Sequence, residues 1–275
     1  MLKLLRANFS RLWKDKVFLL SAAVMLLIGA GSPLMHYFNH DTKWSLDLSF
    51  FTHVLLAAVL SAVLSSMYIG SEYEGGTMRS KRIAGHRRSV IYLANLIVCI
   101  TAGFLLCIVH MIPLALLSHL FGSWFTAAPL TVLLYIGLDF TVIAAFSALF
   151  TMLAMLWQSK SHAAAACILL SAVLLLWGVQ ITSALNEPEY FPGYTYVDEK
   201  TGIVAEEPTV RNPNYLTGTK RQVYEFLQDL TPGGQALQIA SMDTDTPQLL
   251  VLYSGVIILA STCGGLLAFR RKNLR

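Results

Sequence analysis

Six apolar runs, nearly free of charge, decide what this chain can fold into. They cover residues 17–38, 48–70, 89–117, 130–157, 163–185 and 249–269. A helix needs about 20 apolar residues to cross the hydrocarbon layer, and each run is that long. Backbone N–H and C=O groups find no water there, so an open sheet is excluded and all six are expected as helices. Composition agrees, with 55% of the 275 residues hydrophobic and 13% charged, against about 45–50% and 25% in soluble domains. The sequence predicts one all-α integral membrane domain over 1–275. It has six transmembrane helices, an N-terminal amphipathic interfacial helix (1–16) and a large extracellular segment between helices five and six (186–247).

Basic residues orient the chain. Fifteen of the 20 lie on one side: Lys3, Arg6, Arg11, Lys14 and Lys16 at the N-terminus, Arg79, Lys81, Arg82, Arg87 and Arg88 in the loop 71–88, Lys160, and four in the tail. Lys43, Lys200, Arg211, Lys220 and Arg221 remain for the other. The positive-inside bias then puts both termini in the cytoplasm. In 1–16, Leu2, Leu5, Phe9, Leu12 and Trp13 recur at helical spacing with the bases mainly on other faces, the pattern of a helix lying in a membrane interface.

The stretch Gly70 to Arg88, GSEYEGGTMRSKRIAGHRR, joins spans two and three. Glu72 and Glu74 open it, and Gly75-Gly76 breaks the preceding helix. Thr77 is suited to cap a short helix through Ala84, and Gly85 stands where a helix terminates. Two readings fit this capped basic turn: a lever on which a soluble partner pushes, or a loop that only obeys the orientation rule.

The segment 186–247 carries ten acids against four bases. Its first half, rich in Pro, Gly, Tyr and Thr, reads as irregular or short-stranded. Residues 220–230 form an amphipathic helix with Val223, Phe226, Leu227 and Leu230 on one stripe, docking on the spans or resting in the outer leaflet. Pro232-Gly233-Gly234 is expected to stop it, and 235–242 to form a second short helix. Asp139 is the single acid well inside a span; it belongs in the bundle interior, at a dimer interface or against water, as a translocation or gating residue or as a packing group. His53 and His110 read as helix–helix hydrogen-bonding groups or as ligands. Cys99, Cys107, Cys167 and Cys263 lie in apolar runs and read as small membrane-buried side chains.

No P-loop, HExxH, GxSxG or metal-type Cys/His spacing occurs, so no ATP site, catalytic constellation, cofactor or metal is expected on this chain. No basic stripe is interleaved with exposed aromatics, which argues against a nucleic-acid partner.

Glu72-Tyr73-Glu74-Gly75-Gly76-Thr77-Met78-Arg79, followed by Ile83-Ala84-Gly85-His86-Arg87-Arg88 and Tyr92-Leu93, resembles the acidic–glycine–threonine–basic signature of ABC-2 type exporter permeases. The form is that of bacterial peptide-antibiotic efflux and lantibiotic-immunity permeases. Phe226-Leu227 through Pro232, Gly234 and Gln235 is similar to the segment such permeases place before the last span. Gly76 departs from the pattern, where a bulkier residue is common, and is expected to loosen the start of the short helix.

The resemblance implies a permease subunit of the bacterial cytoplasmic membrane, moving an amphipathic peptide, antibiotic or lipid-like compound. It would pair with a second permease copy or a sister permease and with two ABC ATPase subunits that carry ATP and Mg. Glu72, Glu74, Thr77, Met78, Arg79, Lys81, Arg82, Ile83 and Gly85 would couple to the ATPase, with the two glutamates pairing across the contact or back onto Arg79 and Arg82. The rival is a non-transporting membrane anchor or sensor whose acidic outer segment binds a ligand.

Overall fold

The structure, a computed structural model, describes residues 1–39, 46–191, 193, 195–197, 204–206 and 209–272. Most of the 39–47 link, much of 192–208 and the last three residues of the basic tail lie outside the described residues. The helices are α1 (Leu2–Leu12), α2 (Lys16–Phe38), α3 (Leu46–Phe50), α4 (His53–Glu74), α5 (Thr77–Ile83), α6 (Arg88–Leu120), α7 (Pro129–Leu156) and α8 (Lys160–Leu185). After four short strands come α9 (Gly218–Leu230), α10 (Pro232–Ala240) and α11 (Pro247–Arg271). Six of them, α2, α4, α6, α7, α8 and α11, are long and apolar enough to cross a membrane. The fold is that of an all-α, multi-pass membrane protein.

The bundle is built around α4, α6 and α7, while α2, α8 and α11 leave most of their surface outward. Small side chains explain the centre. Ala57, Ala58, Ser61, Ala62 and Ser65 of α4 and Ala145, Ser147 and Ala148 of α7 are buried, so the helix backbones can approach closely. Ala260 and Gly264 of α11, small residues four positions apart, face outward instead. Asp15 ends the turn after α1, its Oδ1 accepting from Val17 N (2.8 Å) and Phe18 N (3.1 Å) at the start of α2.

Several elements differ from their sequence reading. Span two begins at His53, since α3 and the break at Phe51-Thr52 precede it. Span three runs to Leu120 with Pro113 inside it. Pro232 opens α10 instead of only stopping α9, because proline at the first helical position loses no hydrogen bond there. Two strand pairs form in 186–218: β1 (Tyr190–Phe191) with β4 (Val210–Arg211), and β2 (Thr195–Val197) with β3 (Val204–Glu206). The stripe of α9 docks only in part. Leu227 and Tyr224 pack on Ile181, Leu185 and Leu216, whereas Val223 and Phe226 remain about half exposed. Cys263 is exposed, unlike the other three cysteines.

Helix α1 faces the bundle along its length with Leu4, Asn8 and Leu12, not with Leu2 or Trp13, which are exposed. At the same end of the bundle as α1, Arg88 Nη1 donates to Phe269 O (3.2 Å), Arg270 O (2.7 Å) and Lys272 O (2.5 Å), placing a cation on the carbonyl end of α11. Lys272 Nζ donates to Met155 O (2.8 Å) and Tyr73 Oη (3.1 Å), and burial pushes its ammonium down to about 8.

At the opposite end α10 is inserted between α7 and α8, buried along nearly its whole length. Its contact with α8 has no room for a side chain: a Cβ on Gly233 would stand 1.9 Å from Leu174 O. Gly233→Ala therefore forces two backbones apart, and the expected cost is about 3 kcal/mol or more, at the upper end of overpacking. Gly255→Ala in α11, where a Cβ meets nothing within 4 Å, is the control. A thermal-melting comparison in detergent should show a large loss for the first and little change for the second.

Candidate functional site

The end of the bundle that gathers α1, α5 and the last turn of α11 is organised by one buried acid. Glu72, fully buried near the end of α4, has four neighbours from three other elements. Its Oε1 lies 2.6 Å from Arg11 Nη1 of α1 and accepts from Lys81 Nζ of α5. Its Oε2 accepts from Asn95 Nδ2 of α6 at 2.9 Å, and its carbonyl accepts from Thr77 Oγ1 at 3.0 Å. Asn8 closes the ring, with Nδ2 donating to Asn95 Oδ1 (2.7 Å) and Oδ1 accepting from Lys81 Nζ (3.0 Å). Arg11 also lies 3.7 Å over the Tyr68 ring and donates to Tyr68 O (3.1 Å), while Tyr68 Oη donates to Asn8 O (2.8 Å).

Glu72 is thus neither turned outward nor paired with Arg79 or Arg82. The reason is helical phase. Lys81 lies on the inner face of α5 with Met78, which is 2% exposed, while Arg79, Arg82 and Ile83 lie on the outer face. Burial lowers the Lys81 pKa, and the Glu72 carboxylate opposes part of that shift. Glu74 is exposed and pairs with Lys160 Nζ at 3.6 Å. Arg82 Nη1 donates to His86 O at 3.0 Å.

Two glycines shape α5. Gly76 adopts φ +64°, a left-handed turn that glycine enters without strain, so the departure from the signature makes the corner between α4 and α5. Gly76, not Thr77, occupies the cap position, and the Thr77 hydroxyl is spent on Glu72 O. Gly85 at φ +85° ends the helix, with Gly85 N donating to Arg82 O (3.0 Å) and His86 N to Lys81 O (3.2 Å), the paired bonds of a glycine-stopped helix. The result is a two-faced helix, its inner side held by Lys81 and Met78. Its outer side presents Ile83, 79% exposed, on the same face as Arg79 and Arg82.

Asn8, Arg11, Tyr68 and Asn95 were not singled out as site residues from the sequence. The available signal was a polar residue at a core position: Asn8 is in phase with Leu4 and Leu12, and Asn95 interrupts an apolar run.

A second polar group lies deep between α4, α6 and α7. Asp139 is fully buried, with Oδ2 3.4 Å from His53 Nε2. The His53 ring stacks on that of His110, centroids 4.7 Å apart at 25°. Cys107 completes the cluster. The acid and the two histidines, read separately in the sequence, are brought together. Ser61 and Ser65 of α4 and Ser147 and Thr151 of α7 are buried as well, the two serines of α4 lying in sequence between His53 and Glu72.

No protein-family model and no curated protein matches the chain.

On the side of α10, a cavity of 560 Å³ is lined by Arg221, Glu225, Asp229, Asp243 and Asp245, among others.

Proposed function

We propose that the chain is the transmembrane permease subunit of an ATP-binding cassette exporter, coupled through α5 to a separate ATPase. The observation that carries this reading is the two-faced build of α5. A loop that only fixed orientation would need basic residues and nothing else. Here one face is tied by Glu72 to α1, α4 and α6, and the other offers Arg79, Arg82 and Ile83 to the outside. Force applied to the outer face is thereby transmitted to three other helices, two of which span the membrane.

On this reading the α5 end is cytoplasmic, in keeping with the basic residues gathered there. The chain sits in the bacterial cytoplasmic membrane with α1 in the interface, and α8 to α11 enclose an extracellular segment. The ATPase would bring ATP and Mg, and a second permease copy or sister permease would complete the path for an amphipathic peptide, antibiotic or lipid-like substrate. Asp139 would serve that path as a gating residue.

The test is assembly with a candidate ATPase subunit in mild detergent. Reversal of Arg79 and Arg82 to Glu should abolish co-purification and stimulated hydrolysis while the melting temperature stays put. Lys81 is left out, because Lys81→Glu would set a second acid against Glu72 and damage the fold. Undiminished assembly and hydrolysis in the double variant would overturn the coupling role. The 560 Å³ acidic cavity favours the sensor reading instead, and transport activity without any ATPase partner would remove the exporter altogether.

A further inference from the structure

His53, Cys107 and Asp139 come from three different helices, α4, α6 and α7, and all three are buried. Their donor atoms, an imidazole nitrogen, the thiol sulfur and a carboxylate oxygen, lie within 4.8 Å of one another. Neither Asp139 oxygen nor His53 Nε2 takes part in a hydrogen bond among the described residues. A carboxylate so placed in a membrane bundle costs several kcal/mol unless a cation compensates it.

The tautomer of His53 sharpens the point. Its Nδ1 stands 2.9 Å from Phe50 O, and a carbonyl oxygen can only accept, so Nδ1 carries a proton. In the neutral ring Nε2 then turns a lone pair toward Asp139 Oδ2, 3.4 Å away. Lone pair against carboxylate is repulsive without a positive charge between them.

We propose that His53 Nε2, Cys107 Sγ and Asp139 Oδ2 form a site for a divalent transition-metal ion of the Zn²⁺ type. Four arguments meet here. Two N/O ligands bonded to a tetrahedral ion at about 2.0–2.1 Å are separated by about 3.4 Å, and the His53–Asp139 distance is 3.4 Å. The mixed nitrogen, sulfur and oxygen donors suit Zn²⁺ and not Ca²⁺ or Mg²⁺, which take oxygen. A thiolate and a carboxylate together carry two negative charges, so a divalent ion leaves the buried assembly neutral. The Nδ1–H to Phe50 carbonyl contact is the outer-shell bond that fixes a metal-binding imidazole.

Binding displaces the Cys107 thiol proton to solvent, and no electron is transferred. Three protein ligands leave a fourth coordination position, as in sites that exchange a ligand. His110, stacked on His53, walls the site. The ion would pin α4, α6 and α7 together, independently of whether α5 meets an ATPase.

The experiment uses the full chain in detergent, stripped with a chelator and dialysed against Zn²⁺ or Co²⁺. The wild type should retain one metal per chain, and Co²⁺ should give a thiolate-to-metal charge-transfer absorption. Cys107→Ser should abolish that band although Cys99, Cys167 and Cys263 remain. Zinc affinity should fall in Cys107→Ser and Asp139→Asn by more than the about 10–100-fold that outer-shell losses produce. His162→Ala, at the opposite end of the bundle, should bind as the wild type does. Absence of uptake by the wild type overturns the proposal and leaves a proton shared by His53 and Asp139. Uptake retained in full by both variants overturns it as well and marks an adventitious ion only. Should Asp139→Asn fail to fold, the wild-type cobalt spectrum and the Cys107→Ser variant still decide.

Discussion

Glu72→Ala is expected to detach α1 and α5 from the bundle together. The substitution leaves Arg11 and Lys81 facing each other with no acid between them, and it leaves Asn95 Nδ2 only the weak Met155 Sδ acceptor at 3.8 Å. Removing one partner of a buried pair costs about 3–5 kcal/mol, because the other charge stays behind unpaired. Arg11 keeps 31% of its side chain exposed and can swing into water, so its share of that cost is screened. We expect about 2–4 kcal/mol from these opposing effects. Lys81→Met should cost less, because Glu72 keeps Arg11 and Asn95. The measurement is thermal unfolding in detergent together with trypsin cleavage at Arg6 and Arg11, which should accelerate as α1 lifts. A Glu72→Ala protein that melts and resists trypsin like the wild type would show that the buried acid anchors nothing.

The spans were readable because each depends on a local property, about 20 apolar residues in a row, which the bilayer enforces without reference to the rest of the chain. The short helix was readable for a similar reason, since Gly85 and the pair Gly75-Gly76 punctuate it within ten residues. The partners of Glu72 were not. Choosing Lys81 and Arg11 over Arg79 and Arg82 depends on which face of α5 meets the bundle, and on where α1, some 60 residues away in sequence, crosses α4. The His53–Cys107–Asp139 group was hidden the same way. A sequence search for metal ligands relies on close spacing, and these three residues are separated by more than 30 positions each. Proline misled at Pro232, where a helix breaker serves equally as a helix start. What failed to show in the sequence is everything fixed by the rotation of one helix against another.

Ile83→Asp isolates the outer face of α5 from its inner face. In the free protein Ile83 is 79% exposed, so replacing it removes little packing. Such surface changes usually fall within about 0.5 kcal/mol, with a similar small penalty for an acid in the last turn of a helix. Against an ATPase the same change places a carboxylate on the face that the proposed contact would use, beside Arg79 and Arg82. Residues central to a contact cost about 2 kcal/mol or more when lost, which corresponds to a fall of about 30-fold in affinity. Leu2→Asp, in α1 at the same end of the bundle and 83% exposed, introduces an equal charge away from α5. The contrast between the two variants is the readout, in titrations of the detergent-purified protein against a candidate ATPase subunit. A weakening confined to Ile83→Asp, at unchanged melting temperature, locates the contact on α5. Equal weakening by both substitutions would mean that negative charge anywhere on this end repels the partner, and α5 would lose its special place.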